Sequence, residues 1–175
     1  MENSIKSSAI NYGLYLGGLL SLIIVSIYAI DLGLMVNMWI GIGILLVIVG
    51  FGVVSVAKSK SLLEGFMSFK QAFSSYFITI AIGLLINVVI SAILFNFIDP
   101  EAADIIKEKT VEITIKMMEG FNTPAEAIAE AVENIESQNQ YSIVNMIKSL
   151  VWSLVLQSII GLIVAAIMKK TNPDA

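Results

Sequence analysis

Three stretches of the chain, 9–30, 34–57 and 71–98, contain no charged residue, and a fourth, 142–168, contains only Lys148. At about 1.5 Å of rise per residue, each is long enough to cross the roughly 30 Å hydrocarbon layer of a bilayer as a helix. Inside hydrocarbon every backbone amide and carbonyl needs a partner within the protein, which leaves the helix as the natural form for such a run. The sequence therefore predicts four spanning helices. Span three is longer than a perpendicular crossing requires, so it is either tilted or begins in the interface. The first run resembles a signal peptide only superficially. It is too long, only Lys6 precedes it as a basic residue, and no small-x-small cleavage site follows, so we expect it to stay in the mature protein. Asp31-Leu32-Gly33 makes a tight link to span two, and the tail after Lys169-Lys170 is short and carries no anchor signal.

Composition agrees with this reading. At 57% hydrophobic residues and a mean hydropathy of +0.88, the chain is too apolar for an ordinary soluble domain. It has no cysteine, histidine or arginine. Disulfides, thiolate metal sites, the usual imidazole base and the bidentate guanidinium fork are all excluded. A net charge of -4 also argues against a nucleic-acid partner.

The polar mass lies in residues 99–141. Asp99-Pro100 is a helix start, because proline at the first helical position gives up an amide hydrogen that would be unpaired there anyway. Placing successive residues at 100° gathers Ala102, Ala103, Ile106, Ile113 and Met117 on one side, with Glu101, Asp104, Glu108, Glu112 and Glu119 on the other. Gly120 is a natural stop. Thr123-Pro124-Ala125-Glu126 has the capping-box pattern, with threonine as cap and proline first in the helix. Beyond it Ala127, Ile128, Ala131, Val132 and Ile135 share a face opposite Glu126, Glu130, Glu133 and Glu136. Two helices joined by so short a link pack antiparallel. The expected core sets Ile106, Ile113 and Met117 against Ile128, Val132 and Ile135, leaving both acidic stripes in water. A short strand over Val111-Ile113-Ile115 is the minor alternative. Whether the second helix runs unbroken into span four through 137–141 stays open.

Lysine placement orients the chain. Lys6, Lys58, Lys60, Lys70, Lys169 and Lys170 fall on one side, expected to be cytoplasmic. Asp31 and the acidic hairpin fall on the other, together with Lys107, Lys109, Lys116 and Lys148, the last able to snorkel. Both termini are thus expected inside.

Several motifs have a functional and a plain structural reading. Residues 61–77 carry Leu62, Phe66, Phe69, Phe73 and Phe77, either as an amphipathic docking helix or as an aromatic belt leading into span three. The Gly13/Gly17 and Gly161/Ala165 pairs let helices approach closely, and contact within the bundle is expected before a dimer seam. Asn87 and Gln157 sit near the middle of spans three and four. They either line a substrate path or form an interhelical hydrogen bond worth about 0.6–2 kcal/mol. No Asp, Glu, Lys, Arg or His lies deep in a span, which counts against proton relays and ion-coupled carriers.

No Ca2+-loop pattern accompanies the acidic stripes, and no base is held against a nucleophile. We therefore expect no metal, no cofactor and no catalytic site. The candidate partner-facing residues are Glu101, Asp104, Glu108, Glu112, Glu126, Glu130 and Glu133.

The run Ser68-Phe69-Lys70-Gln71-Ala72-Phe73, the junction Phe97-Ile98-Asp99-Pro100 and the closing Lys169-Lys170 resemble an uncharacterised bacterial family of small four-span membrane proteins, classed as a domain of unknown function. That resemblance implies a bacterial inner membrane and an extracytoplasmic hairpin, and it brings no functional residues. The expected fold is an all-α integral membrane protein. Spans one to three occupy 1–98, the extracytoplasmic acidic hairpin 99–141, and span four with a cytoplasmic tail 142–175. The expected function is a non-enzymatic subunit or assembly factor, whose partners are the lipid bilayer and another envelope protein or a second copy of the chain. The alternative is a small homo-oligomeric channel or carrier.

Overall fold

The long apolar helices have no polar stripe: apolar residues surround them on every side, the pattern of a helix whose outer face meets lipid. The computed structural model describes residues 2–170. It comprises α1 (Glu2–Ile30), a 3-10 turn (Leu32–Val36), α2 (Met38–Leu62), α3 (Phe69–Ile93) prolonged by a π turn (Leu94–Ile98), α4 (Pro100–Gly120), α5 (Ala125–Ser137) and α6 (Ile143–Met168). By length and composition four of these helices, at Asn3–Ile30, Met38–Leu62, Phe69–Ile98 and Ile143–Met168, suffice to cross a membrane. The chain is a multi-pass membrane protein. The tail at 171–175 lies outside the described residues.

α3 is the hub. It packs on α1, α2 and α6, whereas α1 and α6 do not touch each other. Lipid gives helices no hydrophobic reason to associate, so close backbone approach and polar contacts must hold them. Gly13 and Gly17 supply the approach between α1 and α3. A Cβ on Gly13 would stand 2.8 Å from the Cβ of Ile82, and one on Gly17 would stand 2.6 Å from Ile86 Cδ1. Gly161 and the fully buried Ala165 do the same for α6, where a Cβ on Gly161 would come within 2.7 Å of the Tyr76 ring. Both small-residue pairs thus lie in contacts inside one chain.

Span three starts two residues before the predicted position. Ser68 and Gln71 form a reciprocal capping box: Gln71 N donates to Ser68 Oγ at 3.3 Å, and Ser68 N donates to Gln71 Oε1 at 2.9 Å. Residues 61–77 are consequently not one helix. α2 ends at Leu62, the chain reverses through Glu64 (φ 58°) and Gly65 (φ 89°), and α3 begins at Phe69. The docking-helix reading fails because Leu62 ends α2, Phe66 lies in the turn, and Phe69, Phe73 and Phe77 belong to α3.

That turn is tied to the end of α6. Met67 N donates to Lys170 O at 2.8 Å, Lys170 N to Met67 O at 2.9 Å, and Lys60 Nζ to Met168 O at 2.9 Å. Lys170 also lies over the Phe66 ring, 5.3 Å from its centroid. A cavity shared by Ile5, Lys6, Ser68 and Lys70 brings the start of α1 to the same end.

At the opposite end α4 and α5 pair, and α5 touches no other element. The helix breaks between α5 and α6, where Ser142 caps the new start by accepting from Asn145 N. α5 and α6 are therefore separate helices.

Candidate functional site

The α4–α5 hairpin has a fixed root and a bare upper part. Asp99 serves twice at the root, its Oδ1 accepting from Ala102 N at 3.1 Å and its Oδ2 from the Tyr28 hydroxyl at 2.8 Å. The π turn before it closes with Asp99 N donating to Leu94 O. This turn aims Leu94 and Phe95 into a small core with Ala102, Ala103 and Ile106, against which Tyr28, Leu32, Met35 and Tyr141 pack. The Tyr141 ring lies on Phe95 at 4.4 Å between centroids, and Asn96 Nδ2 donates to the Tyr141 carbonyl. Burial pushes the Tyr141 hydroxyl up to about 12.

The expected hairpin core is corrected by the structure. Of the expected α4 core residues only Ile106 is buried, and it packs with Ala102 and Ala103 against the root rather than α5. Ile113 and Met117 are 41% and 54% exposed. The half-buried residues of upper α4 are Val111, Thr114, Ile115 and Met118, and Ile128, Val132 and Ile135 of α5 are likewise only half-buried. α4 has two neighbours on two faces, and a single stripe drawn from Pro100 cannot serve both. The alternating Val111-Ile113-Ile115 is helical, so the strand alternative is overturned.

The caps differ too. Thr123 N donates to Met118 O at 3.0 Å, which commits Thr123 to closing α4, and the left-handed position falls on Asn122 (φ 55°) instead of Gly120. Pro124 becomes the cap of α5 with no side-chain bond, so the capping box with Glu126 does not form.

Glu101, Asp104, Glu108, Glu112, Glu126, Glu130 and Glu133 are all exposed. Glu108 lines a cleft with Lys107, Val111 and Glu136 between the two helices. Lys116 donates to Glu112 at 2.6 Å, and this hydrogen bond, followed by the ammonium charge, holds the Glu112 carboxyl below its ordinary range. Asp104 pairs with Lys107 at 3.5 Å. Among the described residues no group of three or more carboxylates is placed to hold a metal ion.

A second polar feature lies inside the bundle, and the sequence reading missed most of it. Tyr76 is fully buried between α2 and α6. Its ring fills the space that side chains at Gly52 and Gly161 would occupy. Its hydroxyl donates to Gln157 Oε1 at 2.8 Å. One turn away, Thr79 Oγ1 donates to Ser55 Oγ at 2.7 Å, and Ser75 Oγ pairs with Ser59 Oγ at 2.8 Å and with Ser55 Oγ at 3.3 Å. These hydroxyls join α2 to α3. Ser55-x3-Ser59 and Ser75-x3-Thr79 at helical spacing were the visible signal.

Gln157 is thus an interhelical hydrogen-bond partner, although of Tyr76. Asn87 is not brought to it. Asn87 is half-buried beside a cavity of about 200 Å3 that also borders Ile44, Leu84 and Tyr141. Gln157 borders a separate cavity of about 460 Å3 between α2 and α6.

A protein-family model described as a protein of unknown function (DUF4199) matches residues 11–170. No curated protein and no solved structure matches the chain.

Proposed function

The chain belongs to the DUF4199 family, and from that premise we propose that it is a non-enzymatic subunit or assembly factor of the bacterial cytoplasmic membrane, docking another envelope protein on its α4–α5 hairpin. The bias of six lysines to one end of the bundle supports an orientation with both termini cytoplasmic and the hairpin extracytoplasmic. One observation carries the docking reading: α5 separates apolar from acidic residues sharply, yet buries no residue and rests on α4 alone. Its apolar residues are half-buried against α4, so the side left for a neighbour is the acidic one. Every charge on α5 is a carboxylate, from Glu126 to Glu136, and anionic headgroups repel such a face rather than hold it. A protein surface bearing basic residues complements it.

The test is native mass spectrometry of the protein released gently from its own membrane, beside a variant carrying Glu126→Lys, Glu130→Lys and Glu133→Lys. A stoichiometric second protein that is lost in the variant is the expected result. Wild-type protein that leaves the bilayer alone, or a partner indifferent to the reversal, would overturn the reading.

The channel or carrier reading has its own observation, the placement of Asn87 and Gln157 beside two cavities that share Ile44 and Leu84 in their walls. It requires flux in reconstituted vesicles that is reduced by Asn87→Leu with Gln157→Leu.

A further inference from the structure

We propose that the groove between α2 and α6 binds a neutral, lipid-soluble carbonyl compound, a ketone or quinone without a charged headgroup, whose oxygen accepts hydrogen bonds from Gln157 Nε2 and Ser153 Oγ. This goes beyond hairpin docking and concerns a different part of the molecule.

The groove exists because α2 is held unevenly. Its lower half is fixed by Gly52 against Tyr76 and by the Ser55 and Ser59 hydroxyls, whereas from Met38 to Val47 it buries no residue. Beneath that free half lies the space of about 460 Å3, lined by Gly41, Ile44 and Ile48 of α2, Leu84 of α3, and Ser153 and Gln157 of α6. Small-molecule sites span roughly 300–1,000 Å3.

The two polar groups sit four residues apart on α6, hence one above the other on a single face. Tyr76 holds Gln157 by its Oε1, which sets the amide plane and leaves Nε2 as a donor with no partner among the described residues. Ser153 is equally unspent. Ser21, Ser91 and Ser158 each donate to the carbonyl four residues back, and Ser153 makes no such bond. Among the described residues no fully buried side-chain oxygen or nitrogen lacks a partner, so the open donors of Ser153 and Gln157 are accessible, and both residues line the groove.

At this depth the surroundings offer no water, and an unmet N–H in hydrocarbon costs several kcal/mol. A fixed N–H and a hydroxyl on one face call for an acceptor, and a carbonyl oxygen with two lone pairs meets both. No charged side chain lines the groove, which excludes an ionic ligand. Depth excludes a phospholipid ester. Gln157 lies near the middle of the 26-residue α6, about 20 Å from its start at 1.5 Å per residue, well below the headgroup level.

The experiment uses the full chain in phosphatidylcholine nanodiscs and two photoreactive probes of equal length, a long-chain diazirine ketone and the corresponding diazirine alkane. We expect the ketone to label the groove residues of α2 and α6 about fivefold more than the alkane, the preference conferred by roughly one net hydrogen bond. Ser153→Ala, which leaves Tyr76 and Gln157 joined, should lower that preference, and Ser153→Ala with Gln157→Met should abolish it. Gly41→Phe should block both probes, because Gly41 lines the groove, a Cβ there meets open space, and the position is about three helical turns from the Gly52–Tyr76 contact. Equal labelling of the wild type by both probes would show an unselective lipid-filled gap and overturn the proposal. So would cross-links placing a second copy of the chain in the groove.

Discussion

The two halves of the bundle are held by different means. Toward the lysine-bearing end, α2, α3 and α6 close on Tyr76, four hydroxyls bridge α2 to α3, and the turn before α3 is bonded to the end of α6. Toward the hairpin end the helices part around two cavities, one walled mainly by α1, α2 and α3 and the other by α2, α3 and α6, and order there comes from the root built on Asp99, Phe95 and Tyr141. The lipid-facing composition of the helices is alike along their length. The difference lies in where glycine and hydroxyl residues fall: where they line up on facing helices the backbones approach, and elsewhere lipid is as good a neighbour as another leucine.

Tyr76→Ala tests this contrast most severely. It empties the slot between Gly52 and Gly161 and leaves Gln157 without its donor, so unfolding in mild micelles should show a loss of roughly 3–5 kcal/mol. A loss below about 1 kcal/mol would mean the closed half contributes no special stability. A sharper comparison uses two glycines of one helix. Gly52→Ala drives a methyl into the Tyr76 ring and should destabilise by about 1–3 kcal/mol. Gly41→Ala meets open space and should stabilise by up to about 1 kcal/mol through helix propensity alone. Equal signs at the two positions would erase the distinction between the halves. The smallest effect belongs to the hairpin. Lys116 lowers the Glu112 pKa in the folded protein, so the stabilisation it brings is present above the ordinary carboxylate pKa and is lost as pH falls through the lowered value. Amide exchange in α4 should quicken slightly over that acid window, and Glu112→Gln should remove the dependence.

The spans were legible because an uncharged run of this length has few other fates. Caps at Asn37 and Ser68 set the starts of α2 and α3, while α1 and α2 run past the uncharged stretches to Glu2 and Leu62, since a charge near the end of a span does not stop a helix. Ser68 and Gln71 carried the stronger capping box, hidden by the aromatic residues around them, while the more conspicuous Thr123-Pro124-Ala125-Glu126 lost its box because a short link had already drawn Thr123 into closing α4. Helical phase gave the acidic faces correctly. It could not assign the apolar ones, since phase says which residues share a side and not which neighbour that side meets. Gln157 was visible as a polar residue at mid-span, but its partner was not: nothing in the sequence separates Tyr76 from its neighbours Phe73 and Phe77 as the one that meets it. Only the tertiary arrangement turns Gly52 and Gly161 into the walls that hold it.

The paired bonds between Met67 and Lys170 have a consequence in time. α1, α2 and α3 already contact one another, so three helices can gather while the rest of the chain is still being synthesised. Residue 170, by contrast, reaches Met67 only after α6 has left the ribosome and crossed the bilayer. The turn that reverses the chain between α2 and α3 must therefore wait, its amide and carbonyl provisionally hydrated, for the last helix to arrive. Joining the two is a late step of biogenesis, and it distinguishes a chain that has delivered its final span from one that stopped short.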